Sequence, residues 1–139
     1  MRIWPNGKNR NLHLNSQTFL LMQPSVKWFE IPVSDLARAA GFYGRLFDNP
    51  VMHLDLGDLK MGLLAGGQGA LVQHPAYVPS HEGALLFFDG GNDLAELLDR
   101  VEPAGGKVIR PKTQISPEQG FMGLFEDSEG NRLGLRSQQ

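Results

Sequence analysis

The sequence predicts an α+β fold built from two βαβββ modules, and a repeated phrase is the main reason. The phrase VSDLA at residues 33–37 opens one amphipathic helical pattern, and GNDLA at residues 91–95 opens another, 58 residues further along the chain. Each phrase follows a run of β-forming residues and precedes short apolar runs bounded by turn residues. Self-similarity at a fixed offset indicates two copies of one supersecondary unit.

Module one is predicted to span residues 25–74. In its first strand, residues 26–33, Trp28 and Glu30 share the face opposite the core residues, because successive side chains alternate. Ser34 or Asp35 is expected to cap the helix that runs to residue 48. A glycine-rich turn at residues 66–69 is better explained by a hairpin than by a phosphate loop, since no Lys-Ser or Lys-Thr pair follows it. The other predicted strands are residues 51–56, 59–65 and 70–73.

Module two, residues 83–137, follows a linker at residues 75–82 and repeats the same order. A strand at residues 84–88 precedes a helix from Asp93, where Asp93 and Glu96 resemble a capping box. The irregular, proline-containing stretch at residues 111–119 is predicted to be a loop and a candidate lid. The remaining predicted strands are residues 107–110, 120–125 and 132–136.

Composition narrows the classes of function. The chain has 139 residues, a formal net charge of -2 and no cysteine, which fits a single domain without disulfides or thiolate metal sites. With no basic block and no apolar run long enough for a membrane helix, we expect no nucleic-acid partner, no membrane partner and a cytoplasmic location. Residues 1–24 lack periodicity and are interpreted as an N-terminal arm that need not belong to the native domain.

Three features together resemble the vicinal oxygen chelate superfamily, which includes glyoxalase I, extradiol dioxygenases, and fosfomycin and bleomycin resistance proteins. They are VSDL at residues 33–36 followed by Phe42-Tyr43, the repeat of that pattern, and FEDSEGNR at residues 125–132. The resemblance covers residues 25–137. It implies a curled mixed sheet around a cleft, a homodimer, and a divalent metal held in the cleft by His, Gln or Glu side chains.

When the metal-ligand positions that the resemblance implies are transferred to this sequence one by one, they do not fall on metal-binding residues. The first-strand ligand positions fall on Trp28 and on Leu86, or on Leu85 or Ala84 under another alignment, and the last-strand position of module two falls on Gly134. We therefore predict no metal and no cofactor. A rebuilt site remains an alternative, with these candidate ligands: Glu30, Gln73, His74 and Glu126.

Without a metal, the cleft becomes an apolar pocket with a few polar groups, as small-molecule sites usually are. Glu30 is the candidate catalytic acid or base, because a carboxylate among apolar walls should have a raised pKa; pairing with Arg132 or Arg136 is the alternative. For Trp28 and Gln73 the alternatives are core packing and a satisfied strand-end amide, and Tyr77 is a candidate cap of the cleft. The predicted ligand-binding residues are Trp28, Gln73, Leu86, Phe88 and Gly134.

Three hypotheses of function follow. The first is a homodimeric protein that binds or sequesters a small ligand without a metal. The second is a glyoxalase-like lyase, isomerase or other enzyme of the superfamily, either metal-free with Glu30 as acid or base or with a rebuilt metal site. The third is an interaction module whose cleft is filled by side chains. The fold alone does not choose among them, because one scaffold hosts many functions.

Overall fold

The computed structural model describes residues 23–139, and these form two four-stranded mixed sheets with one helix each. In module one, β1 (Phe29–Pro32) leads to α1 (Leu36–Phe47), β2 (Met52–Asp55), β3 (Lys60–Leu63) and β4 (Gly69–Gln73). In module two, β5 (Phe87–Asp89) leads to α2 (Ala95–Ala104), β6 (Lys107–Ser116), β7 (Gly120–Glu126) and β8 (Arg132–Ser137). The α+β prediction of two βαβββ modules is confirmed.

The two sheets have the same topology, with strand orders β1-β4-β3-β2 and β5-β8-β7-β6. In each, the first strand pairs in parallel with the last, and the other pairs are antiparallel. The predicted arm lies outside the described residues, apart from residues 23 and 24. No helix among residues 23–139 is long and apolar enough to cross a membrane.

One shared core holds both modules together. Ile31 and Leu71 of the first sheet and Phe125 and Leu135 of the second are buried in the same cluster as apolar residues of both helices. Tyr43 of α1 packs edge to face against Phe42, with 5.0 Å between the ring centroids. Each sheet therefore has a core face and an opposite face, which we call its distal face.

Hydrogen bonds join the two sequence phrases that carry the family resemblance. Glu129 accepts bonds from the backbone N–H groups of Ser34 and Asp35, at 2.9 and 2.8 Å, and from Arg38 Nε at 2.7 Å. The Tyr43 hydroxyl donates to Asp127 Oδ2 at 2.7 Å inside the core. These phrases therefore act as a scaffold that locks the start of α1 against the turn before β8.

Two local predictions were wrong. Most of the predicted loop at residues 111–119 is strand, because β6 continues to Ser116 and only residues 117–119 form a turn before β7. Pro111 is tolerated at a register shift of this edge strand, where no ladder hydrogen bond is required of it. The capping box of α2 is also absent, since the helix begins at Ala95, while Asp93 Oδ1 accepts bonds from Ala95 N and Lys112 Nζ. The predicted cap of α1 is confirmed, as Asp35 accepts from Arg38 N at 3.0 Å.

Candidate functional site

Glu30 lies on the distal face of β1, between two aromatic donors. Trp28 Nε1 donates to Glu30 Oε2 at 3.2 Å, and the Tyr77 hydroxyl donates to Glu30 Oε1 at 2.7 Å. Alternation along β1 places Trp28 and Glu30 on one face, and the linker brings Tyr77 to them from 47 residues away. We call these three residues the Glu30 cluster.

The electrostatics of the Glu30 cluster keep Tyr77 a hydrogen-bond donor. Its hydrogen bond to Glu30 raises the pKa of the Tyr77 hydroxyl, and partial burial and the charge of Glu30 act in the same direction. Glu30 itself is exposed, so it borders the apolar cleft and is not enclosed by apolar walls as the sequence led us to expect. The carboxylate is held by directed hydrogen bonds and not by a hydrophobic pocket.

Neither arginine expected as an alternative partner reaches Glu30. Arg136 Nη2 donates to the backbone oxygen and side-chain Oε1 of Gln119, at 2.9 and 3.0 Å. Arg132 makes no side-chain hydrogen bond within residues 23–139, and its Nε is buried without a partner. The predicted pairing of Glu30 with either arginine is therefore wrong.

A cleft of 470 Å³ lies beside Glu30, between β1 and the chain leading into β5 and β8. Its walls are mainly apolar, and the charged groups that line it are Glu30, Glu82 and Arg132. This volume is within the range that small-molecule pockets occupy. Residues that line it include Val26, Glu30, Val78, Leu85, Leu86 and Arg132.

Strand register places the remaining predicted site residues. Phe87 pairs with Gly134 and Phe88 with Leu135, so Gly134 is on the distal face and Phe88 on the core face. Gly134 is required there because a Cβ would collide with the Phe87 ring. Phe88 instead packs on Phe47, at 5.0 Å between centroids, and borders a separate 380 Å³ pocket.

Leu86 and Gln73 are also directed toward the core side. Leu86 packs against the core cluster while touching the cleft. Gln73 Oε1 accepts a hydrogen bond from Leu36 N at 2.7 Å, at the start of α1. In module two, Ser137 accepts the equivalent bond from Leu94 N at 3.0 Å. The side-chain oxygen of Gln73 is therefore already used to cap a helix.

These two helix-capping bonds show which residues of the two modules are equivalent. They thereby decide the alignment of the two first strands, which the sequence left open. Because Gln73 corresponds to Ser137, Leu71 corresponds to Leu135 and Ala70 to Gly134, and the parallel pairing then matches Ile31 with Phe88. Equivalent residues of β1 and β5 are therefore separated by one residue fewer along the chain than equivalent residues of α1 and α2. Trp28 corresponds to Leu85, which was the open alternative in the sequence, and not to Leu86.

The side chains at these positions do not fit a divalent metal. Trp28, Leu85, Ala70 and Gly134 carry no lone-pair nitrogen or carboxylate that could coordinate an ion. In the part of the chain that the structure describes, no three His, Asp, Glu or Cys residues come close enough to hold one. The candidates for a rebuilt site are engaged elsewhere, as with Glu126, which pairs with His81 Nε2 at 2.7 Å.

Comparison with known proteins defines the family. A model of the Glyoxalase/Bleomycin resistance protein/Dioxygenase superfamily matches residues 25–135. This chain belongs to that superfamily. No curated protein sequence matches the chain significantly.

Solved structures share the fold at low sequence identity. A hypothetical protein from S. aureus is 19% identical, with 84% of this chain and 99% of that chain covered and a TM-score of 0.59. The fosfomycin resistance protein FosX from Listeria monocytogenes is 16% identical, with 84% and 92% covered and a TM-score of 0.61. A glyoxalase I variant from Zea mays is 16% identical, with 79% and 43% covered and a TM-score of 0.63.

Sequence reasoning placed Trp28 and Glu30 together but missed what surrounds them. Tyr77 and Arg132 come from a linker and a distant strand, and neither has a spacing relationship to Glu30 in the sequence. His81 of the linker pairs with Glu126 of β7, and this contact likewise has no signal in the sequence. The alternation of side chains along the strand that begins at the end of the FEDSEGNR phrase could have indicated that Arg132 and Gly134 share a face.

Proposed function

We propose that this superfamily member binds a small organic ligand in the cleft beside Glu30, without a metal. The observation that carries the proposal is the Glu30 cluster, an oriented carboxylate at the edge of a 470 Å³ cleft with mainly apolar walls. Apolar lining with a few convergent polar groups is the usual composition of a ligand site. The cleft volume also favours ligand binding over the third hypothesis, in which side chains fill the cleft.

A second function, catalysis with Glu30 as general acid or base, is favoured by the same hydrogen bonds. Trp28 and Tyr77 fix the orientation of the carboxylate, as a proton-transferring group requires. Under this proposal Glu30→Gln abolishes turnover of a glyoxalase-like substrate while the circular dichroism spectrum and unfolding temperature stay unchanged. Full activity in that variant would exclude Glu30 as the acid or base.

The test of the ligand-binding proposal is native mass spectrometry of freshly purified protein, combined with elemental analysis of metal content. We expect an organic ligand or an empty protein that takes up small organic molecules, with metal well below one ion per chain. A stoichiometric divalent ion that survives dialysis would overturn the metal-free proposal. The Glu30→Gln variant, measured in parallel, shows whether a retained ligand depends on the cluster.

We also propose that the chain forms a homodimer and functions in the cytoplasm, with no nucleic-acid or membrane partner. Support for the dimer comes from the edge strand β2, where Met52 is 67% exposed and Leu54 41% exposed on the distal face. Exposed apolar residues on an unpaired edge commonly mark a protein contact. Sedimentation velocity tests it: wild type should sediment as a dimer and Met52→Lys as a weaker one, and a monomeric wild type would refute it.

A further inference from the structure

Glu30 carries a negative charge that the described part of the protein does not neutralise. The three ion pairs found within residues 23–139 are Arg38–Glu129, His81–Glu126 and Lys112–Asp93. Glu30 instead accepts hydrogen bonds from two neutral groups. An ionised carboxylate has about four acceptor sites, so these two bonds leave room for donors from a ligand.

The groups around that charge are aromatic. Trp28 is 41% exposed although its Nε1 is directed at Glu30. The Tyr77 ring contacts the His74 ring edge to face, with centroids 6.0 Å apart. Both rings direct their polar edges at Glu30, so the carboxylate itself is the group that attracts a positive charge, and the rings hold it in one orientation.

We propose that the Glu30 cluster binds the protonated amine of a ligand whose apolar part lies along the cleft. This rests on the proposed function and adds the chemical class of the ligand. An ammonium group offers three donors and no acceptor, which matches the free acceptor sites of Glu30. Val26 and Val78, both exposed and both lining the cleft, supply apolar contact for the remainder of the ligand.

A neutral or anionic ligand group would gain less at this position. A hydroxyl can donate one bond to Glu30 but brings no charge, and a carboxylate would be repelled by it. Arg132, which also lines the cleft and makes no hydrogen bond to Glu30, is the cleft group suited to an anion. The cluster therefore discriminates amines from alcohols and acids at Glu30.

The experiment compares 2-phenylethylamine with 2-phenylethanol, which have the same size and differ in charge. Binding to the full chain is measured by isothermal titration calorimetry and by ligand-observed NMR, for wild type, Glu30→Gln and Glu82→Gln. Glu82 is the matched control, because it is an exposed carboxylate lining the same cleft. Circular dichroism checks that each variant is folded.

We expect wild type to bind the amine more tightly than the alcohol and Glu30→Gln to weaken the amine about 10-fold or more. Glu82→Gln should change amine binding less than about 2-fold, and the alcohol, which can donate one bond but brings no charge, should change less than about 2-fold in either variant. Trp28→Leu provides a second measurement, since it keeps the carboxylate but removes one of the two bonds that orient it, and it should weaken the amine less than Glu30→Gln does.

Equal affinity for the two probes, equal losses in Glu30→Gln and Glu82→Gln, or no amine binding at millimolar concentration would each overturn the amine site. A retained ligand without an amine would also overturn it while leaving the proposed function intact. A stoichiometric metal would refute the metal-free function whatever the amine titration shows. The two failures are therefore distinguishable.

Discussion

The two modules share a chain path but differ on the distal faces of their sheets. In module one, cross-strand register joins Met52, Leu63, Ala70 and Glu30 into one row across the distal face. The equivalent row in module two joins Arg110, Leu124, Gly134 and Phe87. The carboxylate of one module is thus replaced by a phenyl ring in the other.

The next row shows the same contrast. Leu54, Met61, Val72 and Pro32 form an apolar row in module one. The corresponding row of module two contains Thr113, Met122, Arg136 and Asp89. The core faces of both sheets are mainly apolar because they share one cluster, and the polar side chains of Gln73 and Ser137 on them make equivalent helix-capping bonds. Packing constrains the inner faces of both copies, while the distal faces are free to diverge and carry chemistry.

The largest expected effect comes from removing a buried carboxylate that joins the two modules. Asp127 is 3% exposed and accepts hydrogen bonds from the Tyr43 hydroxyl, Asn131 Nδ2 and two backbone N–H groups. Asp127→Ala leaves these buried donors unpaired and should lower the free energy of unfolding by about 3 kcal/mol or more. Urea unfolding followed by circular dichroism measures it.

The control for Asp127 is Asp55→Ala, which removes an exposed carboxylate at the end of β2 that accepts one bond from Gly57 N. It should cost less than about 1 kcal/mol. Since the core is shared, Asp127→Ala should still unfold in one transition. Two separate transitions would contradict the view that the modules form one cooperative unit.

The second prediction concerns variants in which residues of module two are replaced by those at the equivalent positions of module one. Gly134→Ala gives module two the residue found at the equivalent Ala70, but the new Cβ collides with the Phe87 ring. We expect a loss of about 1 to 2 kcal/mol in the free energy of unfolding, as overpacking usually costs. Phe87→Glu combined with Gly134→Ala recreates the module-one pair and should recover part of the loss. Additive losses in the double variant would contradict the correspondence.

The third prediction concerns the pH dependence of stability that arises from the hydrogen bonds between Glu129 and the start of α1. Burial raises the pKa of Glu129, but the hydrogen bonds from Arg38, from Ser128 and from the backbone of Ser34 and Asp35 outweigh it and lower the pKa below its ordinary value of 4.5. Its stabilisation is therefore present above pH 4.5 and is lost as the pH falls through the lower folded-state pKa.

Glu129→Gln should accordingly cost about 1 kcal/mol near neutral pH, with a smaller difference from wild type in acid. Urea unfolding at a series of pH values measures this, with the exposed Glu118→Gln as control. A difference that stays constant down to about pH 3 would show that the charge of Glu129 is not what stabilises the start of α1.

The smallest effect distinguishes two arginines of the same strand. Arg132 has a buried Nε without a partner, whereas Arg136 donates two bonds to Gln119. Arg132→Met should therefore be neutral or slightly stabilising, within about 0.5 kcal/mol, while Arg136→Met should cost about 1 kcal/mol. Thermal unfolding compares them, and a larger loss for Arg132 would indicate a partner for its guanidinium.

Sequence patterns predicted the elements well wherever local signals were strong. The cap at Asp35, the helix ending near Asp48 and the turns between strands depend on neighbouring residues only. Pro111 was misleading because an edge strand with register shifts tolerates residues that a central strand would not, whereas Pro117 does mark the turn after β6. The predicted roles of Glu30, Trp28, Gln73, Leu86, Phe88 and Gly134 in ligand binding or catalysis remain predictions.

By itself, the sequence determined the two βαβββ modules, their family resemblance and the lack of metal-ligating side chains at Trp28 and Gly134. Only the tertiary structure decided that Trp28 corresponds to Leu85, that Phe88 faces the core, and that Tyr77 completes the Glu30 cluster. The physical reason is that alternation and capping act between near neighbours, whereas register and contacts between the linker and β1 depend on packing across the whole chain.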